Sequence, residues 1–129
     1  MLHALRKRLT KEEKGFTLIE LLVVVIILGI LTAIAIPSYL SFKGRANDSA
    51  AKANVRSVVP SIESFFADNN TYVGMTLASL QSTYDQALDV SKYALGTITA
   101  TSYCVSSTSG DKTWNKNGPA AAIATGACP

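Results

Sequence analysis

The chain is poor in the residues that most chemistry needs. Its one histidine, His3, lies among the first fourteen residues, and it has only two cysteines, Cys104 and Cys128. There is no Cys-x-x-Cys pair and no Cys/His cluster, so no thiolate–imidazole metal site is expected. Without a histidine in the body of the chain, no Ser/His/Asp set can form. The carboxylates offer no paired general acid and base. Neither enzymatic activity nor a cofactor is expected. An excess of one charge is also missing once the N-terminus is set apart. Residues 1–15 carry Arg6, Lys7, Arg8, Lys11 and Lys14 against Glu12 and Glu13, which is the whole of the +3 net charge. The seven bases and seven acids that follow cancel. The basic pI of about 9.0 therefore gives no support for nucleic-acid binding by the body of the protein. Near-zero charge removes one barrier to self-association.

Charge is scarcest between Phe16 and Ile36, where Glu20 is the sole ionisable side chain. That run is long enough to cross a bilayer as a helix, which takes about 20 residues. A carboxylate inside such a span costs about 2.5–3.5 kcal/mol and marks a functional site with a nameable partner. The basic flank would stay cytoplasmic and the chain from Ser38 onward would face outward. Two plainer readings compete. Ala33-Ile34-Ala35 fits the cleavage pattern of a secretory signal peptide, although the apolar run exceeds the usual 7–15 residues. A simple signal anchor explains the span but leaves Glu20 without a partner.

Helical spacing continues past Pro37. Tyr39, Phe42 and Ala46, then Val55, Val58 or Val59, Ile62 and Phe65 or Phe66 recur every three or four residues, with charges interspersed. One helix is predicted from about Phe16 to Ala67. Its first half is apolar all round, and its second half needs a sheet against one face. Pro37 removes a donor and clashes with the Ala33 carbonyl, so a kink is expected there. Gly29 lowers helix propensity upstream, which makes the stretch from Gly29 to Pro37 a candidate for melting when subunits pack. Pro60 predicts a kink rather than a break. Asp68-Asn69-Asn70-Thr71 reads as the stop.

Residues 68–93 are expected to form an irregular connector with one short helix capped by Thr76. Residues 94–129 are expected to form the sheet. Gly96 to Thr108 is strand-like, with a bulge or turn near Thr101 where the apolar parity switches. Ser109-Gly110-Asp111 signals a hairpin turn into a strand over Lys112 to Asn117, and residues 120–125 supply one more. Two lone cysteines behind a membrane segment point to one disulfide in an oxidising compartment, with two buried free thiols as the alternative. A Cys104–Cys128 bond would close a loop of about 25 residues, worth about 3 kcal/mol in the chain-entropy model. Lys112, Trp114 and Lys116 share one strand face and offer a nucleic-acid or surface contact. The alternative is lysines lying around a partly buried Trp.

The motif Gly15-Phe16-Thr17-Leu18-Ile19-Glu20, with Gly29 and Pro37 beyond it, resembles the processing region of type IV prepilins and pseudopilins. The resemblance is specific from Lys14 to Tyr39 and becomes a general layout thereafter. It implies an α+β fold: a long N-terminal helix whose apolar first half leads into a second half packed on a small antiparallel sheet. Residues 1–15 would be a cleaved leader, residues 16–37 a membrane and filament-core helix, and residues 38–129 a head domain. A prepilin peptidase would cut after Gly15 and N-methylate Phe16. Glu20 would then pair with the Phe16 amine of a neighbouring subunit. The implied partners are membrane lipid before assembly, the inner-membrane assembly machinery and further copies of the chain in a homopolymer. DNA enters only through the uptake role of some members. The implied product is a surface filament for motility, adhesion or DNA uptake; the alternative is a pseudopilus of a secretion or competence system. Major secretion pseudopilins typically bind calcium near the C-terminus, whereas Asp111 is the sole acid here after Asp89.

Overall fold

A computed structural model describes residues 15–129. The basic leader before Gly15, with His3, lies outside the described residues. The chain divides into two compact units, Met1–Tyr39 and Leu40–Pro129. Helix α1 spans Leu18–Asn69 and belongs to both. It is continuous through Pro37 and Pro60, so the choice between kink and break at Pro60 falls against a break. It outlasts the predicted end at Ala67 by one short stretch. Asn70 stops it in the left-handed region at φ 55°, as its side chain tolerates. The Asn70 amide donates to the Phe66 carbonyl at 2.7 Å, and Asn69 Nδ2 donates to the Phe65 carbonyl at 2.9 Å.

In the first unit α1 has no packing partner among the described residues. Leu18, Ile19 and the apolar side chains up to Ile36 are all exposed. This is the one helix among the described residues long and apolar enough to cross a membrane.

In the second unit α1 buries Ala51, Val55, Val58, Ile62 and Phe65, the 3–4 residue stripe of an amphipathic helix. The connector follows. Thr76 caps the short helix α2, Leu77–Ser79, through a reciprocal pair of bonds with Ser79. A wide turn over Leu80–Tyr84 closes with the Asp85 amide on the Leu80 carbonyl. A tight turn over Val90–Lys92 leads to the sheet. Strands β1 (Tyr93–Ile98), β2 (Tyr103–Ser109), β3 (Lys112–Asn117) and β4 (Ile123–Thr125) form an antiparallel meander in chain order. The parity switch of the sequence is a turn between β1 and β2, where Thr99 and Ser102 bond each other. Gly110 turns β2 into β3 at φ 58°.

Alternation along β2 sends Tyr103, Val105 and Ser107 to the α1 side. Tyr103 and Val105 join the core formed with Val55, Val58, Ile62 and Phe65, while Ser107 accepts from Asn54 Nδ2 at 3.2 Å. Cys104 and Ser106 point the other way. There the C-terminal tail covers them. Cys104 is bonded to Cys128, and Asn115 Nδ2 donates to the Gly126 and Ala127 carbonyls. Gly96 makes room for that tail, since a Cβ there would stand 2.5 Å from the Cys128 Cβ.

One polar group enters this core. Glu63 accepts from the Tyr72 hydroxyl at 3.1 Å and from the Tyr103 hydroxyl at 3.3 Å. The two rings lie 4.9 Å apart, and Phe66 stacks on Tyr72 at 4.6 Å. Burial together with the Glu63 carboxylate pushes the Tyr72 hydroxyl up to about 12 and raises the Tyr103 hydroxyl above the ordinary value of 10.0. Both phenols thus hold their protons more tightly when folded. Their contribution is complete below about pH 10 and drains away as pH rises, because the unfolded chain ionises first. Alkaline titration of stability in detergent should fall above about pH 10, with a slope of up to about 1.4 kcal/mol per pH unit per tyrosine. Tyr72→Phe should flatten that slope; an unchanged alkaline limb would remove the network from the account. Ile62→Ala should cost about 2–5 kcal/mol by leaving a cavity between α1 and the sheet, read as a lowered thermal midpoint.

Candidate functional site

The start of α1 gathers Gly15, Phe16 and Glu20, the predicted processing and assembly residues. Gly15 and Phe16 precede the helix in irregular backbone. Both are open: among the described residues no atom beyond the chain neighbours lies within 4 Å of a Cβ placed on Gly15, and Phe16 is 92% exposed. A peptide bond between a residue without a side chain and a fully exposed one is sterically accessible to a narrow active-site cleft.

Glu20 is already engaged within its own chain. Its Oε2 accepts from the Thr17 amide and from the Thr17 hydroxyl, both at 2.9 Å. The Thr17 hydroxyl in turn accepts from the Glu20 amide at 3.2 Å. With Leu18 as the first helical residue, this is a capping box: Thr17 at the cap and Glu20 three residues on. The carboxylate also meets the positive end of the helix dipole. Thr17 was not singled out in the sequence, although Thr-x-x-Glu ahead of an apolar run is the pattern that announces such a cap. These bonds hold the Glu20 carboxylate on Thr17, the residue that follows Phe16.

Gly29 and Pro37 both lie inside α1 and are helical. Thr32 adds a contact between them, its hydroxyl donating to the Leu28 and Gly29 carbonyls at 2.8 and 3.0 Å. Such back-bonding weakens and bends a helix. With the donor missing at Pro37, Gly29, Thr32 and Pro37 all bear on the helix ladder.

The remaining predicted residues lie in the second unit. Cys104 and Cys128 are joined, which closes the free-thiol alternative. Lys112, Trp114 and Lys116 share a face of β3, but they do not form an open platform. The Trp114 indole donates to Asp48 at 2.8 Å, and the Lys52 ammonium sits 4.7 Å from its ring centre. Lys116 is tied to the Pro119 and Ala121 carbonyls, and Lys112 faces Asp111 at 3.4 Å. A ring face covered by a cation leaves no room there for a stacked base. Trp114 is half-buried, with Lys52 alone of these lysines shown over its ring. Among the described residues, no three acidic, cysteine or histidine side chains stand together as a metal site.

Residues 10–36 match the family model of the prokaryotic N-terminal methylation motif. The chain is similar to the type IV major pilin protein PilA of Myxococcus xanthus, 45% identical over 50% of this chain and 30% of that protein. It is 34% identical to the type IV wide pilus major component PilA4 of Thermus thermophilus, over 81% of this chain and 80% of that protein. It is also 37% identical to the type II secretion system core protein G of Pseudomonas aeruginosa, over 48% of this chain and 44% of that protein.

The capping box makes a measurable claim on Thr17. Thr17→Val keeps the shape and removes the hydroxyl. It should speed hydrogen exchange at the Glu20 amide about fivefold in detergent, as loss of a cap worth about 1 kcal/mol implies. Thr17→Ser should leave exchange near the original rate, and equal rates in all three would dismiss the cap.

Proposed function

The chain belongs to the type IV pilin family and is a pilin-like structural subunit, and from that premise we propose that it is the building block of a type IV pilus. In this reading a prepilin peptidase removes the leader after Gly15 and methylates the new Phe16 amine. The apolar start of α1 holds the processed subunit in the cytoplasmic membrane. The inner-membrane assembly machinery then lifts it into a surface filament, where this stretch exchanges lipid for the same stretch of its neighbours.

The observation that carries the reading is the placement of one carboxylate at the start of an uncovered apolar helix, four residues from the bond to be cut. In an apolar setting an unpaired carboxylate is costly, and a matched cation at hydrogen-bond distance offsets that cost. Cleavage supplies such a cation at Phe16 of each incoming subunit. Glu20 thereby acts as a register key, a role with precedent for buried polar groups. The stretch from Gly29 to Pro37, with its glycine, its missing donor and the Thr32 back-bond, is the segment able to unwind as subunits pack.

A second reading is a pseudopilus subunit of a secretion or competence system. It draws support from the similarity to the secretion core protein G. The likeness to the wide pilus component runs over more of both chains, which favours the pilus.

Mass spectrometry of the native protein should find a chain that begins at methylated Phe16. A chain that begins at Met1 would make the segment a plain anchor, and one that begins at Ile36 an exported soluble domain. Gly15→Leu should accumulate the full-length precursor. Glu20→Ala should be processed normally yet yield few or no filaments on sheared cells; abundant filaments from that variant would refute the pairing. Long surface fibres in electron micrographs favour the pilus, and short periplasmic ones the pseudopilus.

A further inference from the structure

The seven bases and six acids of the second unit are sorted along the chain. Lys43, Arg45, Lys52 and Arg56 lie on α1 ahead of Pro60, where Asp48 is the one acid. Asp48 is taken up by the Trp114 indole. From Glu63 to Asp89 the sign reverses, with Glu63, Asp68, Asp85 and Asp89 and no base. Glu63 is turned to the two core tyrosines, and Asp89 pairs with Lys92 at 3.6 Å. Asp68 and Asp85 remain without an ion-pair partner among the described residues. The Tyr84 ring packs edge-on against Phe65 at 6.1 Å, which brings Asp85, the next residue, to the last turns of α1 that carry Asp68.

Arg45, Lys52 and Arg56 recur at helical intervals, with Ser49 between them, and so share one face. Concavities lined by Phe42, Arg45, Ala46 and Ser49, and by Ser49, Lys52, Ala53 and Arg56, run along it. Arg45 and Arg56 are exposed. Neither has a carboxylate within ion-pair distance among the described residues. From Arg56 to Asp68 is about 18 Å along the helix, beyond the Debye length at physiological salt of about 8 Å. The chain cannot neutralise this face with its own acidic end.

A body of small net charge with a basic face and a displaced acidic end is complementary to a translated copy of itself. That is the geometry of a heterologous, head-to-tail contact. We propose that the Arg45–Lys52–Arg56 face of α1 docks Asp68 and Asp85 of a second copy of this chain. The contact sets the stagger between neighbouring subunits in the second unit, and its guanidinium groups engage the carboxylates in paired hydrogen bonds. Opposite charges also steer the incoming subunit. The proposal rests on the filament reading and adds a contact that Glu20 does not supply. Anionic lipid is the less fitting occupant. Arg56 lies eleven residues along α1 from Arg45, about 16 Å of rise, while the headgroup layer adds only about 5–8 Å on each side of a bilayer core.

The test reverses charge in the full-length chain in the cells that make it. Arg45→Glu with Arg56→Glu, and separately Asp68→Lys with Asp85→Lys, should each lower sheared-filament yield about tenfold. All four substitutions together should bring the yield back to within about threefold of the unaltered chain. Each variant is accepted only if the processed subunit in detergent keeps the Cys104–Cys128 disulfide and its thermal transition. Should the lysine pair fail that check, Asp68→Asn with Asp85→Asn replaces it under the same criterion. Full yield from either reversed pair overturns the proposal, as does failure of the fourfold variant to recover. Loss of membrane retention with filament yield unaffected would give the face to lipid headgroups and overturn it too. Absence of filaments from the unaltered chain would remove the filament reading itself, and the docking contact with it.

Discussion

A helix that is apolar on every side has no stable place in water, and α1 begins with about six turns of this kind. From Leu18 to Ile36 its large side chains stand about half-exposed or more, and fully burying each one is worth about 1.5–3 kcal/mol. That surface must lie in lipid or among other helices. The same constraint governs the polar groups at its end. In such surroundings an unsatisfied carboxylate or amide is expensive, and the reciprocal bonds of Thr17 and Glu20 leave neither without a partner. The cap and the apolar run are therefore one design. The run makes the charge dangerous, and the cap keeps it satisfied in a single chain.

Much of this was legible in the sequence because the signals are local. The apolar block, the 3–4 residue stripe through Val55, Val58 and Ile62, the asparagines after Asp68, the Thr76 cap and the hairpin at Gly110 all act over a few residues. The capping box at Thr17 is equally local, yet Glu20 drew notice as a charge out of place rather than as the third residue of a helix. What stayed hidden is nonlocal. A glutamate in a charged helix reads as solvated, and the phenols that take Glu63 into the core come nine and forty residues later. Trp114 and its lysines left both a platform and a partly buried Trp open, because nothing nearby in the sequence shows that Asp48 and Lys52, more than sixty residues earlier, close over the ring. The continuity of α1 through Pro60 was similarly open, since a proline in a helix costs about 3 kcal/mol or more and only the surrounding packing decides whether the helix bears it.

The sheet is short and its last strand has three residues, too little to be stable alone. It is held from both faces. On one side α1 supplies the apolar stripe and the Glu63 bridge. On the other the tail crosses Gly96 and is fixed by Cys128 and by the Asn115 amide. Gly96 is the reason the crossing is possible: it is the position at which any side chain would occupy the space of the disulfide.

The buried stripe on α1 extends from Ala51 to Phe65, about 21 Å along the helix axis. Its six buried side chains meet the sheet and connector side by side rather than in succession. A pull applied along α1 would load all of them at once, together with the Glu63–tyrosine bridge, so the helix resists being drawn out by shear instead of peeling away one contact at a time. Because the disulfide ties the tail to β2, extension of the chain beyond Cys104 is barred at the same moment. The second unit is built to transmit tension through its helix without lengthening.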